Sequence, residues 1–418
     1  MKRFLLCLSM CCFVYLSGAQ NVHAQRGYGW EKCFGTAMNT ESANDICYAS
    51  DAGVYAVVGY QMNYKMMIPS AYISIIDPNG NLLWSGTYNG PNNDRTCIAY
   101  SVAAYWDRYE GEMFLVTGTI QNDDGQDIFL VKYKWDRTSL TKVWEKTCLG
   151  GSSLKAAYKI ALVGYWYAPH FVITGETDNN KMCLLEVYAN NGDIYGTVYT
   201  MDQRGISSSV GYGVVELDRA HFYVCGKAVL ADGNKQAFWI HVQNQGGWWT
   251  RWMGPNYFGG PNEDIGYAIT KGPYAGSTAI AGKYGSSPTN SDYWLLTLDS
   301  NGRKDGTNSR TWGDANLNEE LHSIEQTYYR DYIVAGRADL DPDQYNYHYN
   351  VYLAGVGSSG SMQWSRYFGG LQNAGFGLNS LLSFVRATGT NQYIGIATGM
   401  VPGTIGVGDV YVVRYAQY

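Results

Sequence analysis

The feature that most constrains this chain is a short apolar run ending in glycine, which returns seven times across its 418 residues. It reads YAVVG to Gly59, FLVTG to Gly118, FVITG to Gly175, FYVCG to Gly226, TAIAG to Gly282, YIVAG to Gly336 and GIATG to Gly399. Successive glycines stand 51 to 63 residues apart. A period of that length, with several strands in each, predicts a β-propeller or another β-repeat array.

Four strand signals fill each period. In the second repeat they fall near 99–105, on Met113–Gly118, on Asp127–Tyr133 (DIFLVKY) and around Trp144. The third signal recurs as AYISIID from Ala71, MCLLEVY from Met182, AFWIHVQ from Ala237, DYWLLTLD from Asp292, NVYLAGV from Asn350 and DVYVVRY from Asp409. Runs of Val, Ile, Leu and aromatics bounded by turn residues read as strands. Asn79-Gly80, Asn191-Gly192 and Asn301-Gly302 mark tight hairpins after it. An aromatic then opens the fourth strand, at Trp84, Trp144, Tyr195, Trp252, Trp312 and Trp364. A large ring at a fixed place in each repeat is expected to be a packing wedge.

The first strand of each repeat carries small residues, as where seven strands converge on an axis. The expected positions are Cys47 and Ala49, Cys97 and Ala99, Ala156 and Ala157, Gly211 and Gly213, Gly266 and Ala268, Gly375 and Gly377. An aromatic is interleaved at Tyr48, Tyr100, Tyr158, Tyr212, Tyr267 and Phe376, expected to pack between blades. The chain opens with a lone fourth strand at Tyr28–Gly35 and ends on a third strand. The expectation is therefore an all-β, seven-bladed propeller of four-stranded antiparallel blades. Its N-terminal strand would complete the C-terminal blade and remove the open edge.

WEKCFG from Trp30, NEDIGYAI from Asn262, DYWLLTLDSNG from Asp292, YIVAG from Tyr332 and WSRYFGG from Trp364 together look like the repeat of secreted bacterial β-propeller-repeat proteins. The resemblance covers nearly all of the chain after its first two dozen residues. It implies the propeller fold and export, and no defined activity. The stretch around Tyr195, leading into the fourth repeat, departs most, lacking the Trp and the Gly-Gly pair.

Lys2 and Arg3 precede an uncharged apolar run, Phe4–Leu16, followed by small residues. This reads as a signal peptide over 1–24, cut after Ala24, with Ala19 the other cleavage point. One propeller domain over 25–418 would follow, exported to the periplasm, the outer surface or the medium. No later run has the roughly 18 apolar residues of a membrane span. The chain's net charge is −6, and it has no basic tracts, which excludes nucleic acid as a partner. Six cysteines lie beyond the leader: Cys33, Cys47, Cys97, Cys148, Cys183 and Cys225. Several fall in expected strands, where a small buried thiol is favoured over a bridge.

Chemistry-bearing motifs are scarce. There is no G-x-S-x-G elbow, P-loop, dinucleotide loop or CxxC pair after the leader, so no catalytic or metal residue is assigned. Carboxylates recur where one repeat's fourth strand leads into the next repeat's first: Glu41 and Asp45, Asp94, Asp202, Glu263 and Asp264, Glu319 and Glu320. Such residues cap turns through local backbone bonds. The most aromatic break in the repeat is the segment from Asp339 to Tyr349. Asp339, Asp341 and Asp343 have a calcium-like spacing, but Gln344 and Asn350 stand where an EF-hand loop needs Gly and Glu, so no cofactor is assigned. Ligand contacts are expected at Tyr345, Tyr347 and His348, with Asp339 and Asp341 as polar partners. The resulting expectation is an exported binding or scaffold propeller, recognising a glycan or protein through loops on one face. The alternatives are a polysaccharide hydrolase or lyase using the face carboxylates, and a structural envelope component.

Overall fold

A computed structural model describes residues 28–34, 39–63, 68–123, 125–147, 154–163, 169–218, 220–287, 289–306, 309–314, 317–327, 329–339, 349–368, 378–386, 392–400 and 408–416. The leader expected at 1–24 lies outside them. The described strands form four-stranded antiparallel sheets, seven in all. The architecture is an all-β propeller. Its innermost strands are Asn39–Ala49, Cys97–Asp107, Leu154–Val163, Ile206–Asp218, Ile265–Lys271, Glu319–Gln326 and Leu378–Arg386, and blades 1 to 7 are numbered by them. Each innermost strand touches the next, and that of blade 7 touches that of blade 1. Six sheets run outward in chain order; the seventh takes its outer strand from the other end of the chain. There Tyr28–Phe34 pairs with Gly408–Ala416, with Trp30 opposite Arg414 and Cys33 opposite Tyr411.

The uninterrupted apolar runs follow from burial on both faces of every sheet. Successive strand residues point to opposite faces. In blade 2, Phe114, Val116, Phe129 and Val131 join the cluster shared with blade 1. Met113, Leu115, Ile128 and Leu130 join the cluster shared with blade 3. The hydrophobic core is thus a series of layers between blades. Gly192 and Gly302 turn their hairpins with φ of 72° and 69°, a backbone that glycine adopts without strain.

The wedge expectation for the fourth strands needs one correction. Trp84, Trp144 and Trp312 are part-buried against the inter-blade cores. Trp252 is 61% exposed. In blade 4 the packed ring is Trp249, whose indole N–H donates to the Thr197 carbonyl at 2.9 Å. Cys47, Cys97, Cys183 and Cys225 are free thiols, and burial pushes Cys97 and Cys183 up to about 12. Among the described residues, no helix is long and apolar enough to cross a membrane.

Candidate functional site

The repeat's marker glycine exists because of a bulge. In each innermost strand one residue is skipped in the pairing opposite that glycine: Asn44, Tyr100, Tyr158, Tyr212, Tyr267, His322 and, in blade 7, Asn379. The extra residue brings the carbonyl two places before it over the glycine. A Cβ at Gly59, Gly118, Gly175, Gly226, Gly282 or Gly336 would overlap the carbonyl oxygen of Ser42, Ile98, Ala156, Val210, Ile265 or Glu320. In blades 1 to 6 the same bulge turns the skipped side chain toward the axis.

The outcome is a belt of rings. Tyr100 and Tyr158 have centroids 5.1 Å apart, Tyr158 and Tyr212 5.3 Å, Tyr212 and Tyr267 5.5 Å, and Tyr267 and His322 4.4 Å. These rings are half-buried and line an axial cavity of about 440 Å³. As expected from the sequence, each of these tyrosines packs against the ring of the neighbouring blade, and together they also line the cavity. The blade 1 member is corrected: Asn44 holds the bulge, and Tyr48 lies farther along the strand, its ring tilted against that of Tyr55 at 4.7 Å. Phe376 lies outside the described residues.

Polar groups complete the cavity. Asn44 donates its amide to the Ala99 carbonyl at 2.7 Å. Lys159, from blade 3, reaches Asp45, from blade 1, at 2.8 Å. Asp45 also accepts the Ser101 hydroxyl and, at 3.2 Å, the Val102 N–H of blade 2. Burial raises the hydroxyls of Tyr100, Tyr158, Tyr212 and Tyr267 above their ordinary value, Tyr212 to about 12. The belt therefore offers neutral hydroxyls and ring surface. The cavity walls come from the bulge onward in each strand, as at Val102, Val214, Ile269 and Ile324, and not from the residues before it. The cavity thus extends away from the loops in which the sequence placed its site.

On that loop face the carboxylates are engaged locally. Asp264 accepts the N–H groups of Gly260 and Gly285, each at 2.9 Å. Glu319 accepts the Asp314 N–H at 2.8 Å, and Glu41 accepts the Gln61 amide at 2.8 Å. Glu320 is opposed by burial, yet His322, Arg337 and Lys283 outweigh it and hold its carboxyl far below the usual range. Glu263 is likewise opposed by burial and held low by Lys283 and Lys227, at 3.0 and 3.3 Å. A polar groove of about 390 Å³ runs beside them, lined by Asn234, Asn262, Asn290 and Asn318. Asp341, Tyr345, Tyr347 and His348 lie outside the described residues. Asp339 ends a strand, its backbone opposite Tyr349. Among the described residues, no three His, Cys, Asp or Glu side chains are grouped to hold a metal ion.

Two other histidine sites are inter-strand contacts. His170 bonds Glu186 at 2.6 Å, and Glu186 accepts the Asn244 amide. His221 Nδ1 lies 3.0 Å from His241 Nε2. Burial and then the His221 charge lower His241 to about 4, so it stays neutral at physiological pH. Sequence reading missed His322 and Asn44 as belt members, because both break the aromatic pattern. The available signal was their register: each stands between the repeat's carboxylates and its marker glycine.

No family model and no curated protein matches the chain. Among solved structures, it is similar to Chaetomium thermophilum Raptor, at 10% identity and TM-score 0.52, over 96% of this chain and 30% of that one. It is also similar to the periplasmic gluconolactonase PpgL of Pseudomonas aeruginosa, at 11% identity and TM-score 0.51, over 87% of this chain and 99% of that one. The chain spans under a third of Raptor's length. At such identities the similarity concerns the fold.

Proposed function

We propose that the protein is an exported, closed seven-bladed binding propeller that takes the end of a glycan in its axial cavity. The observation that carries this reading is the belt of four tyrosines and a histidine on successive blades. Rings of that kind offer stacking surface at low entropy cost, and their neutral hydroxyls can pair with sugar hydroxyls. A cavity of about 440 Å³ is of the size that small ligands occupy. The Asp45–Lys159 pair and Asn44 supply the few fixed polar groups that orient a ligand in an otherwise apolar site. Export rests on the leader features of residues 1–24, and the repeat's resemblance to secreted propeller proteins supports it.

The test is a glycan array probed with the protein lacking residues 1–24, followed by titration of any hit against Tyr158→Ala and Tyr212→Ala. Each variant should weaken binding by about tenfold or more, as expected for loss of one stacked ring. Wild-type affinity in both would remove the belt from the site. The asparagine-lined groove on the loop face favours a second reading, in which the glycan lies there and the expected contacts Tyr345 and Tyr347 take part. In that case Tyr345→Ala with Tyr347→Ala would abolish binding, and the belt variants would not.

A further inference from the structure

A cleft of about 680 Å³ lies between blades 5 and 6, separate from the axial cavity. One wall is the outer part of blade 5, with Tyr293, Arg310 and Trp312; the other is the outer part of blade 6, with Tyr352 and Tyr367. Tyr293 and Tyr352 stack across it with centroids 4.0 Å apart. Trp312 donates its indole N–H to the Tyr352 hydroxyl at 3.0 Å. Tyr367 is 47% exposed and presents ring surface to the opening. At the inner end sits Glu319, which is 1% exposed.

Glu319 accepts one backbone N–H, from Asp314, and its charged neighbours are Asp292 and Asp314. A side chain at Gly313 would meet both Glu319 and Asp292, so the two carboxylates approach that glycine from one side. The Tyr293 hydroxyl, which lines the cleft, is buried and makes no hydrogen bond of normal geometry. Arg310, exposed, is the one cationic side chain among the described residues lining the cleft. A buried carboxylate beside two others, with aromatic walls and an unsatisfied hydroxyl, is an environment that a cation relieves. The cleft is larger than an inorganic ion needs, and its walls are rings.

We propose that this cleft is a second binding site, for an organic ammonium group held between Glu319 and the ring surfaces of Trp312 and Tyr367. The cation would neutralise the carboxylates while its alkyl part covers the rings. Burial and the two neighbouring carboxylates raise Glu319 to about 7. Binding therefore strengthens as the pH rises through 7 and Glu319 ionises, and a proton is released as the ligand enters below that point.

Calorimetric titration of the whole protein with n-butylammonium and tetramethylammonium, at constant ionic strength, tests this. Saturable binding of either, tighter above pH 7 than below, is expected. Sodium at the same concentration should give none, and acetate should give none. Glu319→Gln should weaken binding about tenfold. Arg310→Ala should tighten it, since an exposed like charge is removed from the rim. N-acetyl-lysine amide distinguishes a peptide lysine from a free amine as the source: comparable binding points to a lysine side chain, and binding by the free amines alone points to a small amine. If Glu319→Gln does not fold, the Arg310→Ala variant and the pH series decide. No ammonium binding, equal binding of sodium, or weaker binding in Arg310→Ala would overturn the proposal.

Discussion

Gly175→Ala is the sharpest perturbation of the bulge that builds the axial belt. The new methyl would overlap the carbonyl oxygen of Ala156 and crowd the Cα of Ala157. Both are backbone atoms of a strand held between blades 2 and 4, so neither can rotate away. Overpacking of a core costs about 1–3 kcal/mol, and a rigid backbone target puts this case at the upper end, about 3 kcal/mol. Unfolding entropy is about 2.1 cal/mol/K per residue, or about 0.8 kcal/mol/K for a propeller of this length, so the melting temperature should fall by about 4 °C. Tyr158 belongs to the same bulge, so near-ultraviolet circular dichroism from the belt should change as well. Gly306→Ala is the control: it meets no heavy atom within 4 Å, and reduced freedom of the unfolded chain should leave it neutral or slightly stabilised. Calorimetric melting of Gly175→Ala at the wild-type temperature, with an unchanged near-ultraviolet spectrum, would refute the steric account of the marker glycines.

Stability should fall as pH rises between about 4.5 and 7, because burial raises Glu112 and Glu319 to about 7 and Asp264 to about 6. The folded state then holds protons that the unfolded chain has released, and the unfolding free energies from urea titrations at about pH 5 and pH 8 should differ by about 2 kcal/mol less in Glu112→Gln. Trp144→Ala should cost about 3 kcal/mol in urea unfolding, since its ring packs over Gly192 of the next blade, whereas exposed Trp252→Ala should stay within about 0.5 kcal/mol. Asn44→Tyr places in blade 1 the residue that four other bulges already hold, so melting should be nearly unchanged. It should nonetheless weaken any axial ligand by filling the cavity, and tighter binding would show that ring area, not the polar gap, governs the site.

The architecture was legible because its requirements are local. A glycine opposite each bulge is demanded by a carbonyl oxygen, so it recurs whatever the neighbouring side chains do. Alternating residues that are apolar on both faces announce sheets packed on both sides. The reading of the recurring carboxylates as caps holds for Asp264 and Glu319, each binding a backbone N–H a few residues upstream, whereas Asp45, Glu263 and Glu320 pair with cationic side chains. Belt membership was less legible. Alignment by aromatic residue places Tyr48 with Tyr100, but register, not residue type, decides which side chain the bulge projects. His322 and Asn44 were passed over for the same reason. The cleft between blades 5 and 6 left no sequence trace, because Trp312 and Tyr367 belong to different repeats and meet only when the blades pack.

One backbone position repeated around the axis carries different residues: Asn44, then Tyr100, Tyr158, Tyr212 and Tyr267, then His322, and Asn379 in blade 7. The bulge and its opposing glycine recur in every blade, so the scaffold requires the geometry and not the side chain. Packing among the rings does not require the run of tyrosines either, since the fold accommodates asparagine at the same bulge. The tyrosines are contiguous on blades 2 to 5, and Asn44 stands beside them on blade 1. The next residue along does not follow that division: Asp45 in blade 1 is tied to Lys159, which follows Tyr158 in blade 3. An axis lined by rings on blades 2 to 6, with Asn44 and Asp45 presented from blade 1, suits a ligand with one apolar face and one hydroxylated face. A pyranose ring has that character, and this asymmetry, more than the abundance of tyrosine, is the physical reason to seek a sugar in the cavity.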